Sequence, residues 1–306
     1  MPAAPPPPLS FDTTFDPQTS TPVTVAPGVV RITAPNAGPY TFTGTNTFIL
    51  GTDRVAVVDP GPFSESHAFG ILNHIGDRPV EAIILTHTHR DHSDLAKDMV
   101  AATRAPLWFA GRHQPSRKRR LFEMDWVRGE SDYDLVPHRE LADGERIAVA
   151  GFELEVIATP GHCANHLCFG LAGTGTMLSG DHVMGWSTSM IAVPDGSMAA
   201  YFDSLKKVAA LPYRQYLPAH GGPIADGPQF ARQLLAHREM RNEQIVTAVK
   251  DGARNTGQLL AAIYPKLDVK LLPAARMTLS AHIEYLSDNN RIRSRRGLFG
   301  TVVGPV

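Results

Sequence analysis

An α/β domain followed by a small helical one is the fold class that this sequence predicts, and three observations predict it. Short β-branched runs broken by Gly, Pro, Asn and Asp follow Val23 ("VRITAP", "NTFILG", "RVAVVDPG"), as successive strands of one sheet do. Segments with apolar residues at helical spacing alternate with such runs, which is the order of an α/β domain. From about Gln229 the strand signal stops, and helical segments precede one short basic hairpin.

Taken in order, residues 1–21 are rich in Pro and Thr and are expected to be a flexible, extended lead. A helix is expected from Ser64 to Ile75, and "EAIILTHTH" reads as a buried strand ending in polar residues. A helix over Asp94–Thr103 and the strand "APLWFA" come next. The basic and aromatic stretch "RHQPSRKRRLFEMDW", inside 111–136, has no clean period and reads as an excursion over one face. Strands resume in "RIAVAGFELEVIATPG", with Gly151 at a hairpin turn, and continue in "HLCFGLAGTGTMLSGD". A helix over Tyr201–Leu211 and the short strand "YLPAHG" close the strand-rich part. Helices over Phe230–Lys250, Gly257–Tyr264 and Pro273–Asp288, followed by "RIRSRRGLFGTVV", have the order of a winged-helix module. The expected organisation is thus a lead at 1–21, a catalytic domain at 22–228 and a winged-helix-like domain at 229–306.

Composition narrows the function classes. With 306 residues, 43% hydrophobic and 19% charged, the chain reads as soluble and globular. A formal net charge of −1 provides no global field for nucleic acid or membrane. Cys163 and Cys168 are too few for a disulfide framework. The start "MPAAPPPPLS" lacks the basic and apolar parts of a signal peptide, and no long apolar run suggests a membrane span. A cytoplasmic protein with no membrane association is the expectation.

The chemistry concentrates in T-H-T-H-R-D-H at 86–92. His87 and His89 alternate at a strand's carboxyl end, so both rings can point to one side, and Asp91 and His92 follow in the turn. Such strand ends are where α/β sheets place ligands. Three later residues stand at strand-to-loop junctions: His162 after "TPG", Asp181 at the end of "MLSGD", and His220 at the end of "YLPAH" before Gly221 and Gly222. Singly, each has a plain reading as a turn histidine, a helix-capping aspartate or a loop histidine. Together they make a mixed imidazole and carboxylate set suited to a pair of divalent ions, zinc first and iron or manganese next.

This series, H-x-H-x-D-H, then His after T-P-G, then G-D, then A-H-G, resembles the metallo-β-lactamase superfamily in order through residues 22–228. The resemblance implies an αββα sandwich with the metals at one edge of the packed sheets. It implies that His87, His89 and His162 hold one ion, that Asp91, His92 and His220 hold the second, and that Asp181 bridges. "TGTNTFILG", "TPGHCANHLCFGL" and "SGDHVMGWSTSM" are similar to the β-lactamase-like protein 2 group, as is a C-terminal segment beginning "HREMRNEQI". Cys163 departs from that pattern, where Thr is expected, and so does the stretch at 111–120.

The function expected is hydrolysis, with a dinuclear-metal-bound hydroxide attacking the carbonyl of a small thioester, ester or lactone, and with Asp91 as the catalytic carboxylate that orients the nucleophile. The alternative is an endoribonuclease that cuts single-stranded RNA with the same metals. The resemblance to the β-lactamase-like protein 2 group implies it, and the basic runs Arg117–Arg120 and Arg291–Arg296, which read first as solvated faces, would support it if they faced the metals. A non-catalytic nucleic-acid-binding module would leave the ligand set unexplained. His166 reads as a loop or outer-shell residue, His182 and Cys163 as packing residues, and Asn46 as a turn residue that the resemblance places along the site.

Overall fold

The computed structural model of the chain describes residues 9–121, 123, 125, 127–266, 268–297 and 300–306. The proline-rich start at 1–8, residues 122, 124 and 126 of the basic and aromatic stretch, and 298–299 of the expected hairpin lie outside the described residues.

Seven strands form the first sheet in chain order: β1 (Val23–Ala26), β2 (Val29–Thr33), β3 (Asn46–Leu50), β4 (Val55–Val58), β5 (Val80–Ile84), β6 (Leu107–Phe109) and β7 (Arg139–Glu140). Pairing is antiparallel up to β4 and parallel from β4 to β7. Parallel neighbours need a crossover. Here α1 (Glu65–Ile75) joins β4 to β5, and α2 (Arg90–Ser93) with α3 (Ala96–Thr103) joins β5 to β6. The second sheet contains β8 (Arg146–Val149), β9 (Phe152–Ala158), β10 (Leu167–Leu171), β11 (Thr176–Gly180) and β12 (Gln215–Pro218), in the order β12-β11-β10-β9-β8. Only β11 and β12 run parallel in it, joined through α4 (Met198–Ala210).

The two-residue period of the strands sorts side chains between three cores. In β10, Leu167, Phe169 and Leu171 face the other sheet, while Cys168 faces the helices. The inter-sheet core joins Phe48, Leu50, Val58 and Ile84 to Val156, Phe169 and Leu178. The far face of the first sheet, with Ile49, Val57 and Ile83, is covered by Ile71 and Ile75 of α1 and Met99 of α3. That of the second sheet, with Ile157, Met177 and Tyr216, is covered by Tyr201 and Leu205 of α4 and Leu234 of a long helix, α5 (Gly227–Lys250). The layers are therefore αββα, as the resemblance implied.

The second half of α5 makes a fourth core with α6 (Thr256–Ile263), α7 (Leu272–Asp288) and the hairpin of β13 (Arg293–Gly297) and β14 (Gly300–Gly304). Because α5 also packs on the second sheet, the C-terminal helices are rooted in the sandwich. At the other end, Leu9 and Phe11 pack against the same helical layer, and Arg31 stands over the Phe15 ring at 4.7 Å.

Helix starts differ from the sequence expectation because caps, not apolar period, set them. Ser197 Oγ accepts the Ala200 N–H, so α4 begins at Met198. Asp226 Oδ1 accepts the Gln229 N–H, with a proline in the first turn, so α5 begins at Gly227.

Candidate metal centre

The parallel pairings set the site. Adjacent parallel strands end side by side, so β4 and β5 bring Asp59 and the 86–92 segment together, while β11 and β12 bring Asp181 and His220 together. His162 comes from the β9–β10 connection. Facing edges of the two sheets thus deliver all seven residues expected from the sequence to one place.

Two groups of atoms result. His89 Nδ1 lies 2.9 Å from His87 Nε2 and 2.8 Å from His162 Nε2. Beside them, Asp91 Oδ2 lies 3.3 Å from His92 Nε2 and 3.2 Å from His220 Nε2. Asp181 stands between the groups: Oδ2 is 3.5 Å from His162 Nε2, and Oδ1 is 3.6 Å from His92 Nε2 and 3.3 Å from His220 Nε2.

The outer nitrogens decide what the inner ones can do. His162 Nδ1 donates to Met190 O at 2.7 Å, His220 Nδ1 to Gly44 O at 3.2 Å, and His92 Nδ1 to Asp59 Oδ2 at 3.0 Å. His89 Nε2 donates to Asp195 Oδ2 at 3.0 Å. The Thr86 hydroxyl gives its proton to Asp59 Oδ2, so His87 Nδ1 donates to Thr86 Oγ1 at 3.0 Å. Each imidazole in its neutral form therefore turns a lone pair inward. Three lone pairs within 2.9 Å of His89 Nδ1 or at it repel unless a positive charge sits among them. Two inward atoms, His92 Nε2 and Asp181 Oδ1, are buried with no hydrogen-bond partner. These residues fit a pair of divalent cations.

The electrostatics agree. Burial opposes charge on His92, yet Asp91, Asp181 and Asp59 overcome it and push the ring's pKa well above its ordinary range. Burial likewise opposes charge on His220, and Asp181 and Asp91 raise it to about 10. The two carboxylates, against the cost of burial, stay ionised far below the usual range through His92 and His220. His162 is driven down to about 4, by burial and then by His89. Positive charge is what this cluster attracts. Asp91 is its most open member, with 29% of the side chain exposed against 10% for Asp181, so the site opens on the Asp91 side.

The other singled-out residues fall around this cluster. His166 Nε2 accepts the Asp181 N–H at 3.0 Å and its Nδ1 meets Thr159 Oγ1 at 2.8 Å, so it steadies the carboxylate without entering the cluster. Cys163 is buried, its thiol donating to Asn165 Oδ1 at 3.3 Å, and it lies within 4.8 Å of ligand atoms of His87 and His89. His182 packs edge-on to Tyr201 with both ring nitrogens unpartnered. Asn46 binds two carbonyls, Pro218 O and Gly221 O, and so ties β3 to the His220 turn.

Sequence reasoning missed Asp59 and Asp195. Asp59 sits in "VVDPG" at the end of β4 and was readable once β4 and β5 were taken as parallel neighbours. Asp195, in "VPDG", looks like any turn aspartate. The basic runs are paired in part: Arg117 with Glu123 and Glu284, Arg120 with Glu284, Arg296 with Glu123, and Arg291 with Glu243.

A family model described as the Metallo-beta-lactamase superfamily matches residues 40–220. Over 246 residues the chain is 28% identical to a lactamase-like protein of Penicillium aethiopicum, covering 79% of this chain and 73% of that one. It is 30% identical over 242 residues to an atrochrysone carboxyl ACP thioesterase of Paecilomyces divaricatus, covering 78% and 69%. Among solved structures, a beta-lactamase domain protein of Burkholderia ambifaria is similar in fold, with a TM-score of 0.78 at 22% identity over 97% of both chains. That likeness extends through the C-terminal helices.

Proposed function

The chain belongs to the metallo-β-lactamase superfamily of hydrolases, and from that premise we propose that it cleaves the thioester of a small acyl substrate with two divalent cations, zinc first and iron or manganese next. One observation carries the reading: the two oxygens of Asp181 face two separate groups of inward nitrogens. In this reading His87, His89 and His162 would hold one cation, Asp91, His92 and His220 the other, with Asp181 shared. The thioester class is supported by the name of the Paecilomyces divaricatus relative.

When bound, the cations would supply Lewis-acid polarisation of a carbonyl and acidify water. The chain's own residues do the rest. Asp91 Oδ2 faces His92 and His220 and accepts from Thr45 Oγ1 at 3.3 Å. Its Oδ1 is left to orient the attacking water and take its proton, as the openness of that side allows. Asp59 and Asp195 fix the rings of His92 and His89. The wall of α5, α6, α7 and β13–β14 we read as a winged-helix-like module, from about residue 229, that packs on the sandwich. Against the endoribonuclease reading, Arg117, Arg120, Arg291 and Arg296 are already paired with carboxylates.

The test combines metal analysis of the purified chain with a panel of acyl thioester, lactone and single-stranded RNA substrates. About two divalent ions per chain are expected, with thioester cleavage abolished by chelation and restored by zinc, and with His89→Ala losing one ion. RNA cleavage without thioester cleavage, or full turnover after chelation, would overturn the reading.

A further inference from the structure

We propose that Phe15, on the segment before β1, is a positioning residue for His220: together with Trp186 it fixes the turn His220–Gly221–Gly222. Little within the turn holds it in place. Gly221 sits at φ +83, and neither glycine has a side chain to pack, so the backbone there keeps its freedom unless outside groups remove it. Two rings from distant parts of the chain do so. A Cβ on Gly221 would lie 3.0 Å from Trp186 Cδ1, and a Cβ on Gly222 would lie 2.7 Å from Phe15 Cδ2. The indole and the phenyl ring thus fill the space that side chains on the two glycines would take.

Each ring is anchored in turn. Phe42 stacks on Trp186, with centroids 4.9 Å apart and planes 8° from parallel, and two residues beyond Phe42 the Gly44 carbonyl accepts from His220 Nδ1. The buried Arg31 holds its guanidinium over the Phe15 ring at 4.7 Å and donates Nη2 to Pro17 O at 2.8 Å. The Asp12 N–H donates to Gly185 O, beside Trp186, and the Ser20 N–H to Thr33 O, both at 2.9 Å. Residues 12–20 therefore tie the Gly185–Trp186 loop, the His220 turn and β2 together. The consequence falls on one nitrogen: His220 Nε2 lies 3.2 Å from Asp91 Oδ2 and 3.3 Å from Asp181 Oδ1, so a shift of the turn takes it from both. None of these contacts reaches His87, His89 or His162. That the nitrogen serves a cation rests on the two-cation reading above, whereas the hold of Phe15 on the turn does not.

Hydrogen exchange on the full chain, after chelation, tests the hold on the turn by itself. The peptide spanning 216–224 carries the Tyr216 and Ile224 amides, each bonded to the other residue's carbonyl. In Phe15→Ala it should exchange about tenfold faster than in wild type, with β10 unchanged, and Phe15→Tyr should restore its protection. Unchanged exchange at 216–224, or equal acceleration in β10, overturns the proposal. The second measurement is competition for zinc with a coloured chelator. Phe15→Ala should hold one cation about tenfold more weakly and the other as in wild type. In a His220→Ala background the same substitution should change nothing, because the residue it acts through is gone. Unchanged affinity for both cations, weakening of both alike, or weakening of the cation that His220→Ala retains overturns the path through His220. A wild type that binds no divalent cation, with exchange as expected, supports the hold of Phe15 on the turn and refutes the two-cation reading alone. Should Phe15→Ala fail to fold, Phe15→Leu, which keeps the apolar contact but not the ring, decides by the same outcomes.

Discussion

At the scale of single residues, the candidate centre depends on carboxylates that stand outside the cluster itself. Asp195 is buried and accepts from His89 Nε2 at 3.0 Å and from His113 Nε2 at 2.7 Å. Burial opposes its charge, but His113 and His89 keep it ionised far below the usual range. An amide in its place accepts from one ring and turns an N–H towards the other. On the two-cation reading proposed above, Asp195→Asn should therefore weaken one cation by about 10–100-fold, the range for such outer partners, and leave the other in place. Competition with a chromophoric chelator measures this, and equal affinity at both positions in the variant would refute it. The contrast with the seven inner residues explains what the sequence makes legible. Those seven follow strands in spacings that suit a shared metal, whereas Asp195 stands alone after Pro194, 106 positions from the histidine it orients.

At the scale of elements, strands were legible and helix starts less so. The apolar signal marks a strand along its whole length, as in β10, a continuous run whose two faces turn to different cores. A helix start depends on one polar side chain outside the apolar pattern. Ser197 is such a residue: its Oγ caps α4 through the Ala200 N–H at 3.3 Å, and its own N–H donates to Gly161 O at 2.8 Å. The start of α4 therefore bears on the His162 turn, where a Cβ on Gly161, at φ +143, would lie 2.5 Å from Tyr201 Cα. Ser197→Ala should lower stability by about 1 kcal/mol, and Ser197→Asp, which also caps, should keep most of it. Urea unfolding with an unchanged denaturant slope is the measurement. Equal midpoints for wild type and Ser197→Ala would show that the cap does not hold this helix.

At the scale of the whole molecule, the layer order was readable because the strand and helix signals come in sequence. The ties across it were not, since Arg117 and Glu284 meet from 167 positions apart. The same holds for a buried network under the first sheet, which sets a response to acid. His67 of α1 is fully buried, and its Nε2 lies 2.8 Å from Thr47 Oγ1, whose own proton goes to Asp59 O at 2.7 Å. The ring must then donate from Nε2 and carry its lone pair on Nδ1, which is buried without a partner. A second proton would have no acceptor, and burial lowers His67 from 6.5 to about 4. The sign follows. Between those values the unfolded chain binds a proton that the folded chain refuses, so stability is complete above pH 6.5 and falls as pH drops towards 4. At 1.36 kcal/mol per unit the loss from this one ring is roughly 2–3 kcal/mol. His67→Gln, with an amide N–H for Thr47 and no titration, should be less stable at neutral pH but show a flatter fall in acid. Unfolding free energies measured at pH 7 and pH 4.5 decide it: a variant that loses as much as wild type between the two places the acid sensitivity elsewhere.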